Sequence, residues 1–377
     1  MPDNHRDPVV LRAAVADAVE SVAADCELDA RAVWRRLGRA GLIRELYAPT
    51  RPGSYEPDPV RLDALLTELD ARLPPGVVLS ICVQLAAALP LVAQAAGDST
   101  VACAVVDAAL DGEAALALAV TDAGAAGSDL LTATTRVCVA DDLVVVDGGK
   151  DWITNAVQCD YALVLCRHRS ARHFTSFRWV LTPAGAPGVS AHPTTGSLFA
   201  GAGVGHLRFC DVTLDRRHLI GPPGRALAAF TRQVAVERLA GALWARALCR
   251  RVLADTRRWL ASRAINGGWL WDNAAVRERF ARALVDYRRI EALCVVHRTG
   301  IGAVGVGGGM LLKAAVADGV DRVLRACADL RGADAFRDGG EAVLRAEMAM
   351  FGVAGGATGT MLAGVAEHAD ELLGTVR

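Results

Sequence analysis

Val120-Thr121-Asp122-Ala123-Gly124-Ala125-Ala126-Gly127-Ser128-Asp129, followed about twenty residues later by Gly148-Gly149-Lys150-Asp151-Trp152-Ile153-Thr154-Asn155, decides how the rest of the chain is read. The first stretch follows the strand-like run Ala115–Val120. Its small residues let backbone N–H groups approach a ligand, and the hydroxyls of Thr121 and Ser128 can donate. A plain long loop is the competing reading. In the second stretch a tryptophan beside a threonine at a strand end suits a flat aromatic ligand. The indole stacks and the hydroxyl addresses a ring nitrogen. The competing reading is a core tryptophan.

Both stretches lie in a β-rich middle. The runs Ala115–Val120, Ala133–Ala140, Leu143–Val146, Tyr161–Cys166, Phe177–Leu181 and His206–Leu214 are strand-like. Turn chemistry at Asp141-Asp142, Gly148-Gly149 and Pro183 to Pro187 separates them. One antiparallel β domain of about 100 residues is expected there. Upstream the periodicity is helical: Val9–Cys26, a helix capped by Asp29 and disturbed near its end by Gly41, then Asp58–Leu73 and Val77–Ala96. Downstream the helical pattern returns in Arg225–Arg263, Ala274–Thr299 and Met310–Leu330, with a last pair over Gly340–Phe351 and Gly355–Leu373. The glycine run Gly302–Gly309 punctuates two helices and lacks the G-K-[ST] ending of a phosphate loop. The order is α, β, α, with expected domains 1–113, 114–222 and 223–377.

Composition excludes several classes. The 377 residues carry 41 Lys+Arg against 42 Asp+Glu, so no basic excess serves a dedicated nucleic-acid binder. Hydrophobic residues make up 53%, which supports a large core and rules out global disorder. Only Lys150 and Lys313 are lysines; the other 39 basic residues are arginines. The apolar segment Val77–Gly97 holds Gln84, Pro90 and Gln94 and reads as a buried helix rather than a membrane span. Neither a signal peptide nor a C-x-x-C spacing is seen among the ten cysteines, so a cytoplasmic protein with reduced thiols is expected. The eight histidines show no i, i+4 pair with a carboxylate partner, so no metal is expected. Arg246, Arg250, Arg251, Arg257 and Arg258 form either a solvated face or a surface for an acidic carrier protein or coenzyme A phosphates.

Taken together and in this order, the two opening stretches resemble the acyl-CoA dehydrogenase family. That family shows T-E-P-x-A-G-S-D and then G-x-K-x-[WF]-I-[TS]-N. The matching residues are Thr121, Ala126-Gly127-Ser128-Asp129, Lys150 and Trp152-Ile153-Thr154-Asn155. Leu207-Arg208-Phe209-Cys210-Asp211-Val212, running on to Gly221, resembles the family's "l-x-F-x-D-V-x-V-P … G". The resemblance covers essentially the whole chain and is most specific in the middle. It implies a helical N-terminal domain, a middle antiparallel β barrel and a C-terminal four-helix bundle. It also implies FAD held between barrel and bundle, usually in a homotetramer, and α,β-dehydrogenation of an acyl thioester. By this similarity Val120 and Thr121 line the flavin, with Thr121 hydrogen-bonded to its ring. Ser128 lies near the pyrophosphate or the pantetheine arm, Trp152 packs by the ring, and Thr154 addresses N5. Arg263 and Gly332 fall at positions that grip the FAD of a neighbouring subunit.

Departures from the pattern carry equal weight. The usual base, a Glu before G-T near the C-terminus, is replaced by Ala354 or Gly355, depending on register. The branch that includes isovaleryl-CoA dehydrogenase instead places its base in an E-R-L motif, here Glu237-Arg238-Leu239. Glu237 is therefore the candidate base, with a structural helix pair as the alternative, and Arg238 has a structural or orienting role. Asn266, Ala274, Asp329 and Ala333 erode the adenosine-side grip. Three functions are consistent with this. The first is a dehydrogenase of an acyl-CoA or acyl-carrier-protein thioester in specialised metabolism, passing electrons to a protein partner or O2. The second is a flavin-dependent monooxygenase. The third is a half-active partner subunit of a hetero-oligomer.

Overall fold

The computed structural model describes residues 7–23, 29–47, 55–124, 127, 129–298 and 305–375. The chain divides into two compact units, Met1–Glu237 and Arg238–Arg377.

The first unit begins with helices α1 (Pro8–Ala23), α2 (Ala30–Arg39), α3 (Leu42–Leu46), α4 (Pro59–Arg72), α5 (Pro75–Val83), α6 (Leu89–Ala96) and α7 (Thr100–Leu110). Asp29 caps α2 by accepting from Arg31 N at 3.2 Å, as its position in the sequence predicts. Gly41, at φ +73°, supplies the left-handed turn that separates α2 from α3. Pro75–Ala96 is long and apolar enough to cross a membrane, yet 94% of its apolar window is buried within the protein, where it is a core helix. The helix is interrupted by the π-helical turn Gln84–Ala88. Such a turn frees carbonyls from the regular ladder, and side chains take them up. Tyr47 Oη donates to Leu85 O, and Gln233 Nε2 donates to Ala86 O at 2.6 Å.

An eight-stranded sheet follows: β1 (Leu116–Ala119), β2 (Arg136–Ala140), β3 (Leu143–Ile153), β4 (Tyr161–Arg167), β5 (Phe177–Pro183), β6 (Val189–Pro193), β7 (Gly205–Asp215) and β8 (Leu219–Ile220). The order is β6-β7-β3-β2-β4-β5-β8, with β1 beside β4. The sheet is mixed, which corrects the purely antiparallel expectation. β1 runs parallel to β4 along four residue pairs, and β2 meets β4 in parallel at Arg136–Arg167. The reason is topological. Both sides of β3 are taken by β2 and β7, so β4, reversing direction after β3, lands on the far side of β2. Among the described residues the pairings run from β6 to β8 and do not close into a ring. The core is drawn from alternating inward residues, among them Val137, Val144, Val146, Val164, Val180, Phe209 and Val212.

Helix α8 (Ala226–Ser262) carries the chain into the second unit. There follow α9 (Ala274–Arg298), α10 (Gly305–Arg331), α11 (Glu341–Met348), α12 (Thr358–Glu367) and α13 (Ala369–Leu372). α10 begins inside the glycine run, at Gly305 rather than Met310. Gly307, Gly308 and Gly309 are buried in its first turns, where packing outweighs their poor helix propensity. The last expected helix, Gly355–Leu373, is split at His368 into α12 and α13.

Candidate active site

The loop after β1 is fastened to the end of β3. Asp122 bridges Lys150, Ala123 N donates to Gly149 O at 3.0 Å, and Asp151 N donates to Thr121 O at 3.0 Å. These bonds put Thr121 beside the segment that carries Trp152, so two stretches far apart in sequence form one edge. Val120 lies in the same fastening, its carbonyl accepting from Lys150 Nζ at 3.0 Å. Ser128 lies outside the described residues. A Cβ at Gly127 would come within 3.1 Å of Thr121 Oγ1, so the glycine packs directly against that hydroxyl.

Beneath this edge is a polar anchor that the motifs alone did not reveal. The Lys150 and Asp122 side chains form an ion pair and are 0% and 1% exposed. Asp122 also accepts from Thr135 N at 2.7 Å, from Thr135 Oγ1 at 3.0 Å, and from the backbone of Thr134. Burial alone would raise the Asp122 carboxyl, but Lys150 and the donors around it outweigh burial and hold it below the ordinary carboxylate range. A second anchor is Asn155, 0% exposed. Its Oδ1 accepts from Ser80 Oγ at 2.5 Å and Gln158 Nε2 at 2.8 Å, while its Nδ2 donates to Ser80 O and Leu116 O, each at 3.2 Å.

Between the two anchors the pairing of β3 with β7 shifts register, from Lys150 to Ile153. The bulge turns Trp152 outward: it is 70% exposed and has φ +59°, a costly conformation for a bulky side chain. Thr154, two residues on, is half-buried.

Glu237 is half-buried near the start of α8. One turn earlier, Gln233 ties α8 to the π-helical turn through Ala86 O and accepts from Gln94 Nε2 at 3.0 Å. The thiol of Cys82, one turn before Ala86, is pushed up to about 12 by burial, and the Glu237 charge adds to the shift. Glu237 is thus within electrostatic reach of a buried thiol on an apolar helix. Glu237 belongs to the same unit as Thr121 and Trp152.

Arg263 and Gly332 fall in the second unit. The Arg263 guanidinium stands 5.8 Å from the ring of Trp259, and that of Arg331, the neighbour of Gly332, stands 5.6 Å from the same ring. Trp259 Nε1 donates to Asp334 at 3.1 Å. The shared aromatic post is a residue that the motif reading missed; its place one turn before Arg263 on a helix was the available signal. Arg331 is buried against Glu341 at 2.9 Å, whereas Asp329 lines an open cleft with Arg279, Arg282 and Arg325. Arg238 donates to Gly355 O at 3.3 Å, so it supports the segment where the usual base would stand. Among the described residues no cluster of three or more His, Cys, Asp or Glu is arranged for a metal.

Comparison with known proteins agrees with this architecture. The acyl-CoA dehydrogenase middle-domain model matches residues 117–216, and the C-terminal-domain model matches residues 225–369. The chain belongs to the acyl-CoA dehydrogenase family, a class of oxidoreductase flavoenzymes. Among solved structures, the acyl-CoA dehydrogenase of Geobacillus kaustophilus superposes with a TM-score of 0.85 at 19% identity, covering 98% of this chain and 100% of that one. The glutaryl-CoA dehydrogenase of Mycobacterium smegmatis gives 0.83 at 19% identity, covering 97% and 94%. The prolyl acyl carrier protein oxidase AnaB gives 0.85 at 16% identity, covering 96% and 98%. Another similar structure is an FAD complex of PigA. No curated protein sequence matches the chain.

Proposed function

We propose that this chain is an FAD-dependent dehydrogenase of an acyl thioester, carried by coenzyme A or by an acyl carrier protein, with Glu237 as the base. The observation that carries the reading is the joining of Thr121 to the Trp152 segment through Asp151 N and the Asp122–Lys150 pair. The residues present fit a flavin: the Thr121 hydroxyl beside Gly127, an exposed indole and a half-buried threonine line one edge. Thr121, Trp152 and Thr154 would hold the ring, with Val120 and Ser128 alongside. Arg263 and Gly332 would act on the adenosine side, as family members do between subunits of an oligomer. FAD, when bound, supplies the hydride acceptor. Glu237 takes the Cα proton onto a carboxylate oxygen, and Gln233 steadies its turn of helix against the π-helical segment.

In this reading the domains are 1–113, 114–222 and 223–377, and the setting is cytoplasmic. The test is the visible spectrum of the purified protein before and after anaerobic addition of a short acyl thioester. Bleaching of a flavin band supports the reading. A colourless protein that takes up no FAD overturns it in favour of a partner subunit. A flavin reduced by other means that reacts quickly with O2 to a hydroperoxide overturns it in favour of a monooxygenase.

A further inference from the structure

Trp152 is held in a left-handed backbone between two fully buried anchors, yet its own side chain lies open to solvent. Strain that surrounding structure over-determines points to a role for the side chain it displays. Among the described residues, the ring packed on Trp152 is His206 of β7, with centroids 5.6 Å apart and planes at 74°. His206 is fixed from the other side. Its Nδ1 lies 2.9 Å from Asp151 Oδ1, and Arg208 Nη1 donates to that same oxygen at 2.8 Å. Asp151 and Trp152 are consecutive residues of the bulge, so one backbone kink presents both the indole and the carboxylate that orients its imidazole neighbour.

We propose that His206 is a positioning residue for Trp152, and that protonation of its imidazole changes how the indole stands at the edge read above as the flavin site. The inference rests on that reading for its functional consequence. Among the described residues, the charged and titratable groups around His206 include Asp151 on β3, Arg208 two residues along β7, which shares Asp151, and His192 on β6, its cross-strand partner, itself bonded to Ser190 Oγ at 3.2 Å. Burial works to raise Asp151, but Arg208 and His206 more than offset this and hold it below the ordinary carboxylate range.

The experiment reads Trp152 emission as the difference between the full-length protein and Trp152→Phe, across about pH 5–8 where imidazoles titrate. It is made first on protein freed of flavin. A cationic imidazole in contact with indole quenches it, so the difference emission is expected to fall as the pH is lowered. His206→Gln is expected to abolish the titration while keeping the emission. Asp151→Asn is expected to change the difference emission, because the imidazole loses the carboxylate that orients it. With flavin restored, the rate of flavin reduction should follow the same midpoint in the parent protein and lose that dependence in His206→Gln. A purely structural role would lower the melting temperature of His206→Gln without removing a titration. Trp152 emission that ignores pH, or titrates unchanged in His206→Gln, overturns the proposal. Failure to take up flavin overturns the reading of function instead, and the emission titration decides the His206 proposal without it.

Discussion

Lys150 and Asp122 are joined in a pair from which water is excluded, and the pair fastens the loop after β1 to the end of β3. Breaking a buried pair by removing one partner strands the other charge and typically costs about 3–5 kcal/mol. Lys150→Met is therefore expected to lower unfolding stability by about that much. The double change Lys150→Met with Asp122→Leu should cost less than the sum, because neither charge is left alone. Urea unfolding of the three variants measures it.

The same pair sets an acid limit. The folded-state pKa of Asp122 is depressed, so its contribution is fully present above the unfolded carboxylate value of about 3.9 and is lost as pH falls through the folded value. Stability should drop on acidification below about pH 4. Part of that drop should vanish in Asp122→Asn, whose stability is already lower at neutral pH. Melting curves at a series of pH values decide it.

Glu237→Gln removes the proton acceptor and keeps the shape of the side chain. Flavin reduction by the acyl thioester should slow by about 10²–10⁴ while flavin binding stays intact. Stopped-flow bleaching under anaerobic conditions measures this. Reduction at the parental rate would sink Glu237 as the base and leave it a structural residue of α8.

Asn155 uses both side-chain atoms on four partners with no exposure to solvent, at a φ of +67° that asparagine tolerates better than most residues. Asn155→Ala leaves Ser80 and Leu116 with unmet polar groups and should cost about 3 kcal/mol. The Thr154–Trp152 segment should then lose its order first, visible as early amide exchange in hydrogen–deuterium measurements.

The thiols divide by burial. Burial pushes Cys82, Cys159 and Cys166 up to about 12 and Cys327 up to about 11. Among the described cysteines, only Cys103, Cys138 and Cys210 are exposed. These three should be labelled by a thiol reagent at pH 8 in the native protein, and the buried ones only after unfolding. Labelling sites read by peptide mass spectrometry check this.

Much of the architecture was legible before any coordinates. Helical periodicity, the Asp29 cap and the Gly41 break are local, because each depends on residues within a few positions of one another, and the structure reproduces them. Helix α7 and the short strands β6 and β8 went unread. Thr100–Leu110 is apolar on most sides, so it shows little of the 3.6-residue stripe that marks an amphipathic helix. β6 has four exposed residues in five and β8 is two residues long, so neither shows the alternation by which a strand is read.

The sequence by itself determined the α, β, α order, the resemblance of the Thr121 and Trp152 stretches to one enzyme family, and Glu237 as the residue to weigh as base. Tertiary structure alone decided what those residues touch. Asp122 meets Lys150 across 28 positions, His206 meets Asp151 across 55, and Gln233 meets Ala86 across 147. Arg263 and Arg331 converge on Trp259. No periodicity encodes such pairs, because they exist only once strand register and helix packing have been fixed by burial of the apolar faces.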